Sequence, residues 1–292
     1  MTIANAVING VLLGALYALF ACGLSLMFGV MRIINLAHGD LAVLGAFAVW
    51  LIATQAQVSP FLALAVALPV MLVLGYLLHR VLLGPSLRGG ELTPLLTTFG
   101  LAIVVQNLML QIFSPDVRSL GAAAGEISVG SWRVNDQLTV PYFGLLVLAV
   151  AVALLGGLEI LLRRTRPGRE MRATAQDAET AELVGIPAES VYAKATALAV
   201  GTATLAGAFL AMHATFDPSS GPTQLIFAFE AVVIGGLGSL RGTLVGGMVL
   251  GVAQTVGATI DPQYAILAGH LVFLAVLTGP RGRLTVLRSV RA

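Results

Sequence analysis

The sequence predicts an all-α protein, a polytopic transmembrane bundle of about eight to ten segments, some of them short or broken. Three observations carry that prediction. Of 292 residues, 58% are hydrophobic and 10% charged, and the mean hydropathy is +0.94; a soluble domain is roughly 25% charged. There are too few polar groups to cover a water-facing surface, so a lipid bilayer is the main solvent. Apolar runs recur at the length of about 20 residues that a helix needs to cross hydrocarbon. The arginines fall in the short stretches between those runs rather than along one helix, which marks topology and excludes a nucleic-acid footprint despite the net charge of +2.

Taken in order, apolar runs at 6–29, 40–57, 60–79, 92–113, 141–162, 191–213, 224–239, 243–259 and 263–279 predict the membrane segments. The seventh and eighth are short and joined by Ser239-Leu240-Arg241-Gly242, a pattern that fits a re-entrant hairpin covered by protein. The first run has no preceding Lys or Arg and no clear cleavage site, so it is expected to remain as a span. Arg32, Arg80 with Arg88, Arg163 to Arg172, and Arg281, Arg283, Arg288 and Arg291 agree in parity and are expected on the cytoplasmic side. The loop 114–140 and the turns at Asp217 and Asp261 then face out, as does the N-terminus. The whole chain, 1–292, reads as one transmembrane domain with a cytoplasmic loop at 163–190 and a short basic tail at 281–292. Gly242 with Gly246, and Gly247 with Gly251, have the small-xxx-small spacing of closely packed helices.

Catalytic patterns are missing. There is one cysteine, Cys22, inside an apolar run, and one lysine, Lys194, with no glycine loop before it. No pattern for nucleophilic catalysis, zinc or a phosphate-binding loop occurs, so no catalytic, cofactor or metal residues are assigned. His38, His79, His213 and His270 share no metal-ligand spacing. His79 beside Arg80 reads as an interfacial residue, and His270, within the last apolar run, predicts a hydrogen bond to another helix. Glu230, deep in an apolar run, must be paired or face a cavity, and Arg241 in the following turn is the expected partner.

Residues 163–191 are too charged to span. Pro167 and Gly168 break the preceding helix, and strong helix formers follow until Gly185 and Pro187. Met171, Ala175, Ala178, Ala181 and Val184 form one small apolar stripe, with Arg172, Gln176, Asp177, Glu179 and Glu182 around it. A lipid-surface helix is usually basic, with bulky apolar residues. This one is acidic and alanine-faced, which favours a protein partner.

Three stretches, NGVLLGALYALFACGLSLMFGVMRIINLAHGD, RPGREMRATAQDAETAELVGI and AFEAVVIGGLGSLRGTLVGG, together resemble the bacterial ABC-transporter permeases of the branched-chain amino acid type, in particular the first of the two permease subunits. The resemblance runs from about Asn9 to Gly279. It implies a subunit of the bacterial inner membrane that conducts a small organic substrate and does no covalent chemistry. The partners it implies are a second homologous permease, two ATPases that bind ATP and magnesium, and a periplasmic binding protein. Arg169, Arg172, Gln176, Asp177, Glu179 and Gly185 would then belong to a coupling helix that docks the ATPases. Asn35, His38, Gly39, Asp40, Glu230, Gly235 and Gly236 are the candidates for the translocation path or its gate. The polar group at Arg32, Asn35, His38 and Asp40 has two readings: a short cytoplasmic turn with Asn35 and Asp40 as helix caps, or an interrupted helix whose freed backbone faces the path. A stand-alone proton-coupled carrier using Asp40, Glu230 and His270 is the competing function.

Overall fold

Each long apolar run folds as a helix, because a backbone in hydrocarbon must satisfy its own hydrogen bonds. A computed structural model describes residues 2–90, 92–135 and 138–279; the predicted basic tail lies outside the described residues. The long helices are α1 (Ile3–Met31), α2 (His38–Gln55), α3 (Pro60–Leu78) and α4 (Leu92–Phe113), then α5 (Tyr142–Arg164). Two short helices follow, α6 (Arg166–Gln176) and α7 (Ala178–Leu183). The chain continues through α8 (Ala188–His213), α9 (Gly221–Gly235), α10 (Leu240–Ile260) and α11 (Tyr264–Thr278). Seven of the described helices are long and apolar enough to cross a bilayer, whereas α9 and α11, at 15 residues each, are shorter. The predicted seventh segment is therefore short, but the eighth is not: α10 has 21 residues.

Helices α1, α8 and α2 are the most deeply buried, α10 packs against α1 and is partly exposed, and α3, α4 and α5 form the rim. The outer face of α3, Leu62, Val66, Val70, Val73 and Leu77, is wholly apolar and exposed, as expected where lipid is the neighbour. Packing at the centre rests on small residues. A Cβ on Gly247 of α10 would meet the Gly14 carbonyl of α1 at 2.5 Å, and one on Gly246 would overlap the Ala231 carbonyl of α9. One face of α10 thus seats α1 and the adjoining face seats α9. With no hydrophobic force between helices in lipid, such close approach is what supplies the packing energy.

The 114–140 segment is more than a loop. It carries the strands β1 (Ser131–Asn135) and β2 (Leu138–Pro141), paired antiparallel with Trp132 opposite Val140. At this end Arg118 lies 4.9 Å from the Trp50 ring centroid. The other end of the bundle is rich in arginine. There Arg80 pairs with Glu189 at 3.2 Å, and Glu159 takes both Arg163 at 2.6 Å and Arg241 at 3.4 Å. His79 is buried at this end, with its Nδ1 3.1 Å from the Thr196 hydroxyl; it packs inside the chain instead of meeting the interface.

Candidate functional site

Between α1 and α2 the chain does not simply turn round. Arg32 ends α1 in the left-handed region, with φ 56°, and its N–H donates to the Phe28 carbonyl at 2.9 Å. Residues 33–37 then run back into the bundle without forming a helix. The Leu36 N–H donates to the Thr98 hydroxyl of α4 at 3.2 Å, and the Ala37 N–H to Asn35 Oδ1 at 3.0 Å. His38, the first residue of α2, places its Nε2 2.8 Å from the Phe20 carbonyl. Phe20 precedes Met31 by three turns of α1, about 16 Å along the axis. So α2 begins deep in the bundle, and the backbone N–H groups freed by the break, at Leu36 and Ala37, are bonded within the chain. The turn reading fails because Asn35, His38 and Asp40 are at most 3% exposed.

A second helix starts at the same place. A Cβ on Gly39 would run into the Gly221 carbonyl, and one on Gly221 into the Asp40 carboxylate. The N-termini of α2 and α9 therefore converge on Asp40, which lies in the first turn of α2. Helix N-termini carry partial positive charge, and they offset part of the cost of burying a carboxylate. Asp40 Oδ1 and His38 Nδ1 have no hydrogen-bond partner among the described residues. The capping prediction holds only in part: Asn35 accepts from Ala37 just before the helix, while Asp40 makes no cap.

Glu230 does not join this junction. It lies nine residues beyond Gly221, about 13 Å along α9, and its Oε1 sits 2.5 Å from His270 Nδ1 of α11. The expected partner, Arg241, binds Glu159 instead, because Arg241 opens α10 at the arginine-rich end while Glu230 is buried in the span. His270 does form the predicted cross-helix bond. Sequence reasoning missed the neighbouring Tyr17 hydroxyl, which donates to Gln254 Oε1 at 2.6 Å; a tyrosine and a glutamine in apolar runs were the available signal.

Gly235 and Gly236 lie at the far end of α9. The turn that follows needs φ of 94° at Gly236 and 78° at Gly238, a region only glycine enters freely. Ser239 then caps α10 by accepting from the Gly242 N–H at 3.1 Å. This turn sits against Gly29 of α1.

The 163–190 segment forms two helices where one was expected. Thr165 caps α6 through the Gly168 N–H at 3.2 Å, with Pro167 in the first turn. Asp177 is extended and caps α7 through Thr180, whose N–H and hydroxyl donate to it at 3.1 and 2.5 Å. Those bonds hold the Asp177 carboxyl below the usual carboxylate range. A capping aspartate inside a run of helix formers restarts the helix and so breaks the expected stripe. Met171 and Ala181 are buried, whereas Val184 is 73% exposed beside Leu183. Gly185, with φ 86°, closes α7 as Ile186 N–H donates to the Ala181 carbonyl at 3.0 Å.

The pair is two-faced. Gly168, Met171 and Thr174 turn inward, and Met171 packs with Leu26, Met27 and Val30 of α1. Arg169, Arg172, Gln176, Asp177, Glu179 and Gly185 are all exposed. A cavity of about 430 Å³ lies between α6, α1, α5 and the α9–α10 turn, bordered by Ser25, Gly29, Glu159, Arg172 and Gly238.

Residues 6–277 match the family described as branched-chain amino acid transport system / permease component. This chain belongs to that family. As a permease component it is a multi-pass membrane protein, and the family supports the importer reading over the proton-coupled carrier. Among its curated relatives is the high-affinity branched-chain amino acid transport system permease protein BraD of Pseudomonas aeruginosa. It is 30% identical over 287 residues, covering 94% of this chain and 93% of the relative. The LivH permease proteins of the same kind of system from Salmonella typhimurium and Escherichia coli are 30% and 29% identical, each covering 94% of this chain and 92% of the relative.

Proposed function

We propose that this permease component belongs to an ATP-driven importer of branched-chain amino acids in the bacterial inner membrane, with its arginine-rich end in the cytoplasm. A second homologous permease completes the path, a periplasmic binding protein delivers the substrate, and two ATPase subunits carry ATP and magnesium. The chain itself moves substrate and makes or breaks no covalent bond.

The observation that carries this reading is the exposed, two-faced pair α6 and α7. Its outer side offers Arg172, Gln176, Asp177 and Glu179 to a soluble partner, and its inner side is fastened to α1 through Met171. Movement of an ATPase against α6 passes to α1 and to the Gly236–Gly238 turn across the cavity. Through the Phe20 carbonyl, α1 is tied to His38 and so to the junction of α2 and α9. Closure of the ATPases thereby favours one of two arrangements of that junction, and the bias is the difference in how well the closed ATPases dock to each.

The test is Glu179→Lys in the co-expressed complex. Reversing one exposed charge at the docking face leaves membrane insertion intact, and it lowers both the recovery of ATPase subunits with the permease and the ATP-driven uptake. Unchanged recovery and uptake would remove α7 from the dock.

A further inference from the structure

On the importer reading, each permease is expected to give some exposed polar surface to the path. Asn35, His38, Asp40 and Glu230 are each at most 3% exposed within this chain. Helix α4 is different. Its buried side is Pro94, Thr98, Val105 and Met109, and the rest of its surface has two exposed apolar flanks with a polar line between them.

One flank carries Leu96, Phe99, Ile103 and Leu110, with part-buried Gln106 where it turns toward the core. The other is Leu108 and Ile112, and between the two run Thr93, Thr97, Gly100, Val104, Asn107 and Gln111, at alternating steps of four and three residues, which is a single line along a helix. Five of those six are polar or glycine. Gly100, Val104, Asn107 and Gln111 are exposed, and a Cβ at Gly100 would meet nothing within 4 Å. Asn107 Nδ2 donates to the Ile103 carbonyl at 2.8 Å, which uses one of the side chain's two donors. By contrast, the exposed faces of α3 have no such line of polar groups.

Lipid offers nothing to an amide two turns inside a span, and polar side chains in membranes face water or protein. We propose that the Thr93–Gln111 line of α4 is the surface this permease gives to the aqueous translocation path. The apolar Leu96–Leu110 flank meets lipid. This assignment rests on the importer reading above and adds to it the residues that touch the moving substrate and its water. The line is uncharged, with hydroxyls, a glycine and amides, which suits passage of a small zwitterion without holding it.

The test is a cysteine scan of α4 in the full importer, in membranes, with a membrane-impermeant cationic methanethiosulfonate reagent applied from outside. The native Cys22 is fully buried and serves as the unlabelled parent. Thiols react as thiolates, so a thiol in hydrocarbon stays protonated and inert. Gly100→Cys, Val104→Cys, Asn107→Cys and Gln111→Cys are expected to label about tenfold or more faster than Leu96→Cys, Phe99→Cys and Ile103→Cys. The adjacent pair Ile103 and Val104 is decisive, since both are β-branched hydrophobes, one on the apolar flank and one on the polar line. A flat profile, or faster labelling of the Leu96 flank, overturns the assignment. So does an unlabelled polar line that crosslinks to the second permease, which would make it a dry seam. A parent that imports substrate with ATP but gives a flat profile refutes this inference alone; the predicted profile without ATP-driven uptake refutes the importer reading instead.

Discussion

Glu230 Oε1 of α9 lies 2.5 Å from His270 Nδ1 of α11, and the carboxylate is 4% exposed while the imidazole is 40% exposed. The pair ties the short helix α11 to the bundle. Removing one member leaves the other unpartnered in the span, so Glu230→Ala and His270→Ala are each expected to cost about 1–3 kcal/mol, limited by screening at the half-open imidazole. Thermal unfolding in detergent measures this. The double change Glu230→Leu with His270→Leu should lose less than the sum of the single changes; strict additivity would mean that the two side chains do not interact.

The Gly247 face of α10 gives a second prediction. Its hypothetical Cβ falls 2.5 Å from the Gly14 carbonyl and 2.8 Å from the Ala18 nitrogen, both backbone atoms that cannot rotate away. Gly247→Ala is expected to cost about 1–3 kcal/mol by overpacking. Gly247→Leu should prevent recovery of monodisperse protein. Size-exclusion profiles of detergent extracts check both, and normal recovery of the leucine variant would mean that α1 and α10 do not meet face to face.

Span placement was legible because hydrocarbon thickness sets helix length: the run at 92–113 is the helix Leu92–Phe113, whereas the run at 224–239 stops as a helix at Gly235, because Gly236 and Gly238 turn with positive φ and Ser239 caps α10. What was not legible were facts of partnership. A glutamate in an apolar run must be paired, but periodicity does not say whether His270 or Arg241 supplies the partner. Asn35, His38 and Asp40 are polar, yet their polarity alone does not separate a helix junction buried in one chain from a surface shared by two. The helix break at Asp177 was hidden because strong helix formers flank it, and its capping bonds to Thr180 outweigh that local preference.

Asp177 supplies a pH prediction. Thr180 holds its carboxyl below the usual range in the folded chain, so the unfolded segment binds the proton more readily. The capping contribution is therefore complete at neutral pH and is lost as pH falls through the depressed folded value. Hydrogen exchange at the Thr180 and Ala181 amides should stay protected from pH 7 to about pH 4, near the unperturbed aspartate value, and weaken only below it. Asp177→Asn, which keeps an acceptor oxygen, should flatten that dependence; an unaltered acid response in this variant would assign the effect to another group.

The most direct measurement of the account is uptake by proteoliposomes holding this chain with its partner permease and two ATPases, with ATP enclosed and leucine-loaded binding protein outside. The account predicts leucine accumulation that requires enclosed ATP, the ATPases and the binding protein, and that persists when the proton gradient is collapsed. Accumulation by this chain alone, abolished by collapsing that gradient, would contradict it.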